Sequence, residues 1–268
     1  MKYFFDAEFH ERIKKPWFSK KYHLMELISI GIVDEDGRTY YAISSEFDLK
    51  AAWNNEWLRE NVLYSIYREL RDIQNENTSE RLLYGHLWTR FSYKSLKRLI
   101  SWHGKKNDQI AAEIFDFVNP DLGFHIEGYS NSEFRDPMSK TSLHFDKHNV
   151  TDINEHFYAQ PEFYAYFADY DWVLLCSLFG SMMQLPPGFP MYCKDIKQML
   201  HEYAERLSIY MPTRYSSGDK DDTPEIKYAH LTSCKAYENL KNNNEHSALA
   251  DAIWNKKVYD YLQTRKFE

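Results

Sequence analysis

Cysteine is scarce: Cys176, Cys193 and Cys234 are the three in a chain of 268 residues. They are odd in number and scattered, which excludes a disulfide framework or a paired-cysteine metal site and fits a reduced, cytoplasmic setting. Long apolar runs are missing as well. No stretch approaches the roughly 20 residues needed to span a bilayer, so no membrane partner is expected. The acidic Asp6 interrupts the apolar start Met1–Phe5 before it could serve as a signal peptide. Net positive charge is also absent, with 33 Lys and Arg against 40 Asp and Glu, a formal balance of −7. That balance excludes a protein that coats long nucleic-acid duplexes through many phosphate contacts. It leaves room for a site whose clustered carboxylates carry divalent cations, because the ions are part of its charge. What the chain does have is apolar mass: 43% hydrophobic and 17% aromatic residues, enough for a substantial core. One elaborated domain is expected.

Aromatic crowding in KYFFDAEF marks residues 2–9 as a β-strand. Residues 24–33 and 38–45 read as two more, joined through the Asp36-Gly37 turn into an antiparallel meander. From Leu49 to Ile73 the apolar residues recur at helical intervals, and further helices are expected over 94–102 and 108–118. Residues 120–160 dissolve into Gly, Asn, Ser, Asp and Pro, the mark of a long insertion. Order returns with a strand over 162–168, a helix from Asp171 to Leu178 stopped by Gly180, an amphipathic helix over 194–208, and a last helix over 247–262. The LPPGFP stretch, 185–190, forbids regular structure. Strands and helices in this order predict an α/β fold, a central mixed sheet flanked by helices.

Asp6 and Glu8 stand two apart on the first strand, so they project from one face with Cα atoms about 7 Å apart. Among Phe4, Phe5 and Phe9 a pair of carboxylates needs a partner, and a bound cation would supply it. A simply solvated strand edge is the alternative. His246 and Asp251 form a His-x4-Asp pair at the start of the last helix. His103 and Asp108 repeat that spacing, so context separates the two pairs. Asp251 lies among Ala248, Leu249, Ala250 and Ala252, where an acid needs a reason, whereas His103 and Asp108 flank a Gly-Lys-Lys turn of surface type. Asp169 and Asp171 sit at a strand–helix junction, where one can cap the helix and the other look back across the sheet.

The ordered set FFDAEF, YFADYDWVLL and HSALADA resembles the three exonuclease motifs of the DEDD superfamily, in its His-bearing subclass. The first 75 residues, the block 162–212 and the helix 245–262 are similar to the small bacterial RNase T-like 3′-to-5′ exoribonucleases, over about two thirds of the chain. The resemblance implies an RNase H-like fold as a single exonuclease domain over 1–268, with insertions at about 76–107, 120–160 and 213–243. It implies two Mg²⁺ or Mn²⁺ ions per site, one held by Asp6, Glu8 and Asp251 and the second positioned by Asp6 and Asp171. His246 would be the general base, and nucleoside 5′-monophosphates would leave the 3′ end of single-stranded RNA. The family pattern often carries Asn where this chain has Phe167, which makes Asp169 the fallback for Asp171. RNA over DNA rests on the resemblance alone, and a homodimer is admitted because related exonucleases often pair. A single-stranded DNA exonuclease and a non-catalytic nucleic-acid-binding protein of the same fold are the competing readings.

The segment His10–His23 interleaves Arg12, Lys14, Lys15, Lys20 and Lys21 with Trp17 and Phe18. Basic and aromatic groups together suit single-stranded nucleic acid, with Phe9, Lys14, Lys15 and Trp17 as the contacts; a solvated hairpin loop is the alternative. A second basic run, Lys94, Lys97, Arg98, Lys105 and Lys106, reads as a solvated helix face, with contact to phosphates of the incoming strand as the alternative. His144, His148 and His156 lack a matching Cys or acid pattern and read as loop residues. Met182 and Met183 read as packing.

Overall fold

The computed structural model describes residues 1–15, 17, 18, 20–76, 90–119, 160–210, 240 and 246–264. Five strands form one mixed sheet in the order β3-β2-β1-β4-β5. Strands β1 (Lys2–Lys14), β2 (Tyr22–Asp34) and β3 (Thr39–Ile43) run antiparallel to their neighbours, while β4 (Glu162–Ala165) and β5 (Lys194–Asp195) continue the sheet parallel to β1. The chain is therefore α/β with helices on both faces, compatible with an RNase H-like fold. No helix among the described residues is long and apolar enough to cross a membrane.

Alternation along β1 sorts its side chains. Tyr3, Phe5 and Ala7 face a core completed by helices α5 (Asn107–Val118) and α6 (Ala168–Leu178). Phe4 faces the opposite way, into a cluster with α7 (Ile196–Tyr210) and α8 (Ala248–Thr264). A third cluster packs Ile28 and Ile43 against α3 (Tyr64–Glu76) and α4 (Tyr93–His103). The β1–β2 register slips between Glu8 and Phe9, where Ile28 is the extra residue on β2. Because the bulge is on β2, β1 keeps its period of two, and Asp6, Glu8, His10, Arg12 and Lys14 share one face.

Several expected boundaries move. The first strand does not stop at residue 9: His10–Lys14 and Tyr22–His23 belong to paired strands, so the basic segment is a two-stranded ribbon with only a short tip. The region 49–73 is interrupted rather than continuous. Helix α1 (Leu49–Asn54) is capped by Asp48, Asn55 breaks it and caps α2 (Glu56–Leu58), and a π-turn over Arg59–Leu63 leads into α3. The strand expected over 162–168 ends at Ala165, because Phe167 turns left-handed (φ 58°) and α6 starts at Ala168. Asp169 and Asp171 both fall in the first turn of α6, whose N-cap Phe167 makes no side-chain capping bond, so neither acid takes the expected capping role. Helix α4 fills part of the expected 76–107 insertion, with Ser92 and Ser95 forming a reciprocal capping box at its start. The expected insertion over 120–160 lies almost wholly, and that over 213–243 mostly, outside the described residues, as do Cys234 and the three loop histidines.

Candidate metal centre

Strand β4 is shorter than β1, and the consequence organises the site. The last β1–β4 pair is Phe4–Tyr164. Beyond it, the Phe5 carbonyl accepts a hydrogen bond from the Asn255 side chain of α8 (2.9 Å), and the Ala7 N–H donates to the Asp171 carboxylate of α6 (3.2 Å). Two helices thus satisfy the backbone groups that a longer β4 would have paired, and they bracket Asp6. The crevice lies outside the carboxyl ends of the parallel strands, where α/β sheets place their ligands.

The close approach of α8 requires a particular residue on β2. Gly31 is paired with Asp6 on one side and Tyr41 on the other. A Cβ built on Gly31 would meet the backbone of Leu249 at 2.4 Å and of Ala248 at 2.5 Å. Only glycine lets the first turn of α8 lie directly on the sheet. Asp251, in that first turn, is thereby lowered onto the carboxylate face of β1.

Carboxylate oxygens of Asp6, Glu8 and Asp251 lie within 4.8 Å of one another. Asp171 is buried beside them, whereas Asp169 is exposed. The electrostatics are one-sided. Burial holds the Asp6 carboxyl well above its ordinary range, and the neighbours that add to this are Asp171, Glu8 and Asp251, all acidic. Glu8 is pushed up to about 8 by burial and by Asp251, Asp171 and Glu69. Asp171 is also pushed up to about 8, chiefly by burial, then by Asp195 and Asp251, against the lowering pull of the Ala7 N–H. Half-buried acids with acidic neighbours are costly unless cations join them. The donor set is hard oxygen throughout, which suits Mg²⁺ or Mn²⁺, and Asp6, Glu8, Asp251 and Asp171 are the residues that could hold them.

His246 precedes α8 in the left-handed conformation (φ 66°), a backbone state that costs a non-glycine residue on the order of 1–3 kcal/mol. What holds it there is visible. Its N–H donates to the Asp251 carboxylate (3.0 Å), and its ring meets the edge of the half-exposed Trp57 ring (centroids 4.9 Å, 76° between planes). The next residue, Ser247, donates its hydroxyl to Glu69 of α3 (2.6 Å). The decoy pair does not join this cluster: His103 ends α4 and Asp108 opens α5.

The expected nucleic-acid contacts divide. Phe9 projects from the face opposite Glu8 and packs on the core beside Tyr170 (centroids 5.6 Å). Arg12 is engaged by Glu26 (2.8 Å) and Asp48 (2.9 Å). Lys14, Lys15 and Trp17 are exposed near the ribbon tip.

Sequence reasoning missed Gly31, Asn255, Trp57 and Glu69. Gly31 alone carried a signal, an isolated glycine inside an apolar strand. Asn255 is 1% exposed and its bond is one of the two that fix the edge of β1. Asn255→Leu leaves the Phe5 carbonyl without its donor, so chemical denaturation should find the variant about 1–3 kcal/mol less stable. An unchanged midpoint would mean that this bond adds nothing to the docking of α8.

No family model matches the chain. Over 214 residues it is 27% identical to proteins from two Mycobacterium tuberculosis strains, each named 3′-5′ exoribonuclease, and the match covers 80% of this chain and 80% of each relative.

Proposed function

We propose that the protein is a metal-dependent 3′-to-5′ exoribonuclease of the His-bearing DEDD type, releasing nucleoside 5′-monophosphates from single-stranded RNA. The observation that carries this reading is the convergence of Asp6, Glu8 and Asp251 from two elements distant in sequence, with Asp171 buried beside them. The names borne by its mycobacterial relatives point the same way. Asp6, Glu8 and Asp251 would hold one Mg²⁺ or Mn²⁺ ion, and Asp6 and Asp171 a second. Bound there, the ions supply charge stabilisation for the entering and leaving oxygens of an in-line displacement at phosphorus.

The chain's own groups do the rest. His246, presented at the entrance of α8 and backed by Trp57, takes a proton from the attacking water. The water oxygen bonds to phosphorus as the bond from phosphorus to the 3′ oxygen breaks. The terminal nucleotide leaves as its 5′-monophosphate, and the released 3′ oxygen takes a proton from solvent, so the shortened strand keeps a 3′-hydroxyl. Asp251 has a second task in this reading, since its bond to the His246 N–H fixes the backbone from which the imidazole reaches the water.

A four-carboxylate site has no use in a protein that merely binds RNA, because anionic groups repel phosphates unless cations intervene. The deciding measurement is digestion of 5′-labelled single-stranded RNA and DNA in parallel. RNA should shorten in single-nucleotide steps from its 3′ end with Mg²⁺ or Mn²⁺ present and stay intact in chelator. His246→Ala should lower kcat by about 10²-fold, the usual worth of a positioned base. Equal rates in the variant, or a clear preference for DNA, would overturn the assignment of the base or of the substrate.

A further inference from the structure

Beyond Glu8 the strands β1 and β2 leave the sheet and continue as a ribbon paired only to each other, from Phe9–Leu27 to Lys14–Tyr22. At its tip Trp17 is 91% and Phe18 95% exposed, with rings nearly parallel (9°) and centroids 5.7 Å apart. Lys14, Lys15, Lys20 and Lys21 flank them, all exposed. In a chain of net charge −7, residues 12–25 contain no Asp or Glu. Two large apolar rings in water need a reason, and a ring of uncompensated lysines around them argues for an anionic partner with flat apolar faces.

We infer that this ribbon tip is a binding arm for single-stranded RNA, engaging the chain several nucleotides upstream of the 3′ end; the inference rests on the exoribonuclease reading. The period of two puts Lys14 on the same face of β1 as Asp6 and Glu8, so a strand leaving the carboxylates along that face passes His10 and Arg12, the latter engaged by Glu26 and Asp48, and meets Lys14 as the first of the flanking lysines. At about 3.4 Å per strand residue, Lys14, the last residue of β1, stands roughly 20 Å beyond Glu8, with Trp17 in the turn past it. With a stacked rise of about 3.4 Å per nucleotide, that corresponds to roughly six nucleotides before the strand reaches the tip. Bases stack on Trp17 and Phe18, and the lysines take phosphates; neither interaction reads sequence. The arm therefore discriminates by length: a trinucleotide at the carboxylates does not reach it, and a longer strand does.

The test compares Trp17→Ala/Phe18→Ala with wild type on a 3-nucleotide and a 15-nucleotide RNA. The double variant should lose about tenfold in kcat/KM on the 15-mer and nothing on the 3-mer. Loss on neither, or equal loss on both, refutes a length-reading arm. Anisotropy of labelled 15-mer in EDTA measures binding without turnover, so it tests the arm even if the proposed activity fails; unchanged affinity there also refutes it. Replacing the four lysines by Ala should flatten the salt dependence of binding by about 0.7 for each lysine–phosphate pair removed. If sedimentation shows that the aromatic variant instead dissociates a dimer, the tip is an interface between copies and the inference falls.

Discussion

Asp6→Asn should abolish hydrolysis and yet raise the melting temperature of the metal-free protein. Removing a member of a concerted catalytic set costs on the order of 10⁴-fold in kcat, so no residual turnover should be measurable in an ordinary assay. Stability moves the other way because of what surrounds the group. Burial and three neighbouring carboxylates oppose its charge, and an amide of the same shape carries none. The pH dependence follows from the raised acids. Burial and acidic neighbours push Glu8 and Asp171 up to about 8 in the folded chain from ordinary values of 4.5 and 3.8, so between those values the folded state binds more protons. The stability these acids contribute in chelator is accordingly fully present near pH 4 and is lost as pH rises toward 8. Millimolar Mg²⁺ or Mn²⁺ should recover it, and more at pH 8 than at pH 6, because the cation competes with the protons at the lower pH. Thermal melts of both proteins across that range, with and without chelator, read every part of this. For a chain of this size 1 kcal/mol corresponds to roughly 2–4 °C, so a gain of several degrees for the variant at pH 8 is expected. Identical melts in chelator, with no response to cation, would show that the carboxylates do not strain one another.

Legibility of the site followed the range of the interactions involved. Asp6 and Glu8 could be put on one face from the sequence because a strand's period is local. The bulge at Ile28 does not disturb that period, since it lies on the partner strand. The strand over 162–168 was overextended for a local reason too. Tyr166 and Phe167 continue the aromatic composition of β4, and the left-handed turn falls on a phenylalanine instead of the glycine that would have flagged it. The ribbon beyond residue 9 is hard to see in the sequence because, past Phe9, Leu27 and Met25, it leaves the core and has no apolar alternation to display. Asn255 and Glu69 were unreadable for the opposite reason. Each is a polar residue at an ordinary helical position, and its role comes from a backbone carbonyl or a hydroxyl supplied by a distant segment.

The same logic makes Gly31→Ala the sharpest test of how the site is assembled. The added methyl would meet the Leu249 and Ala248 backbone at 2.4 to 2.5 Å, where ordinary carbon contacts begin near 3.5 Å. Backbone cannot rotate aside as a side chain can, so the start of α8 must lift by about 1 Å. Asp251 and His246 ride on that turn and move together, one away from Asp6 and Glu8, the other away from the attacking water. A misplacement of that size costs about 10²-fold for one group. With the metal ligand and the base both displaced, kcat should fall by about 10³-fold, and stability by about 1–3 kcal/mol from overpacking. Gly37→Ala is the matched control. Its φ of 92° makes alanine strained, but an added Cβ there meets nothing, and the residue lies in the turn between β2 and β3. It should lose about 1 kcal/mol of stability while hydrolysing RNA at the wild-type rate. Wild-type activity in Gly31→Ala would mean that α8 reaches Asp6 and Glu8 by a route independent of this close approach, whereas reduced activity in both variants would trace the effect to stability alone.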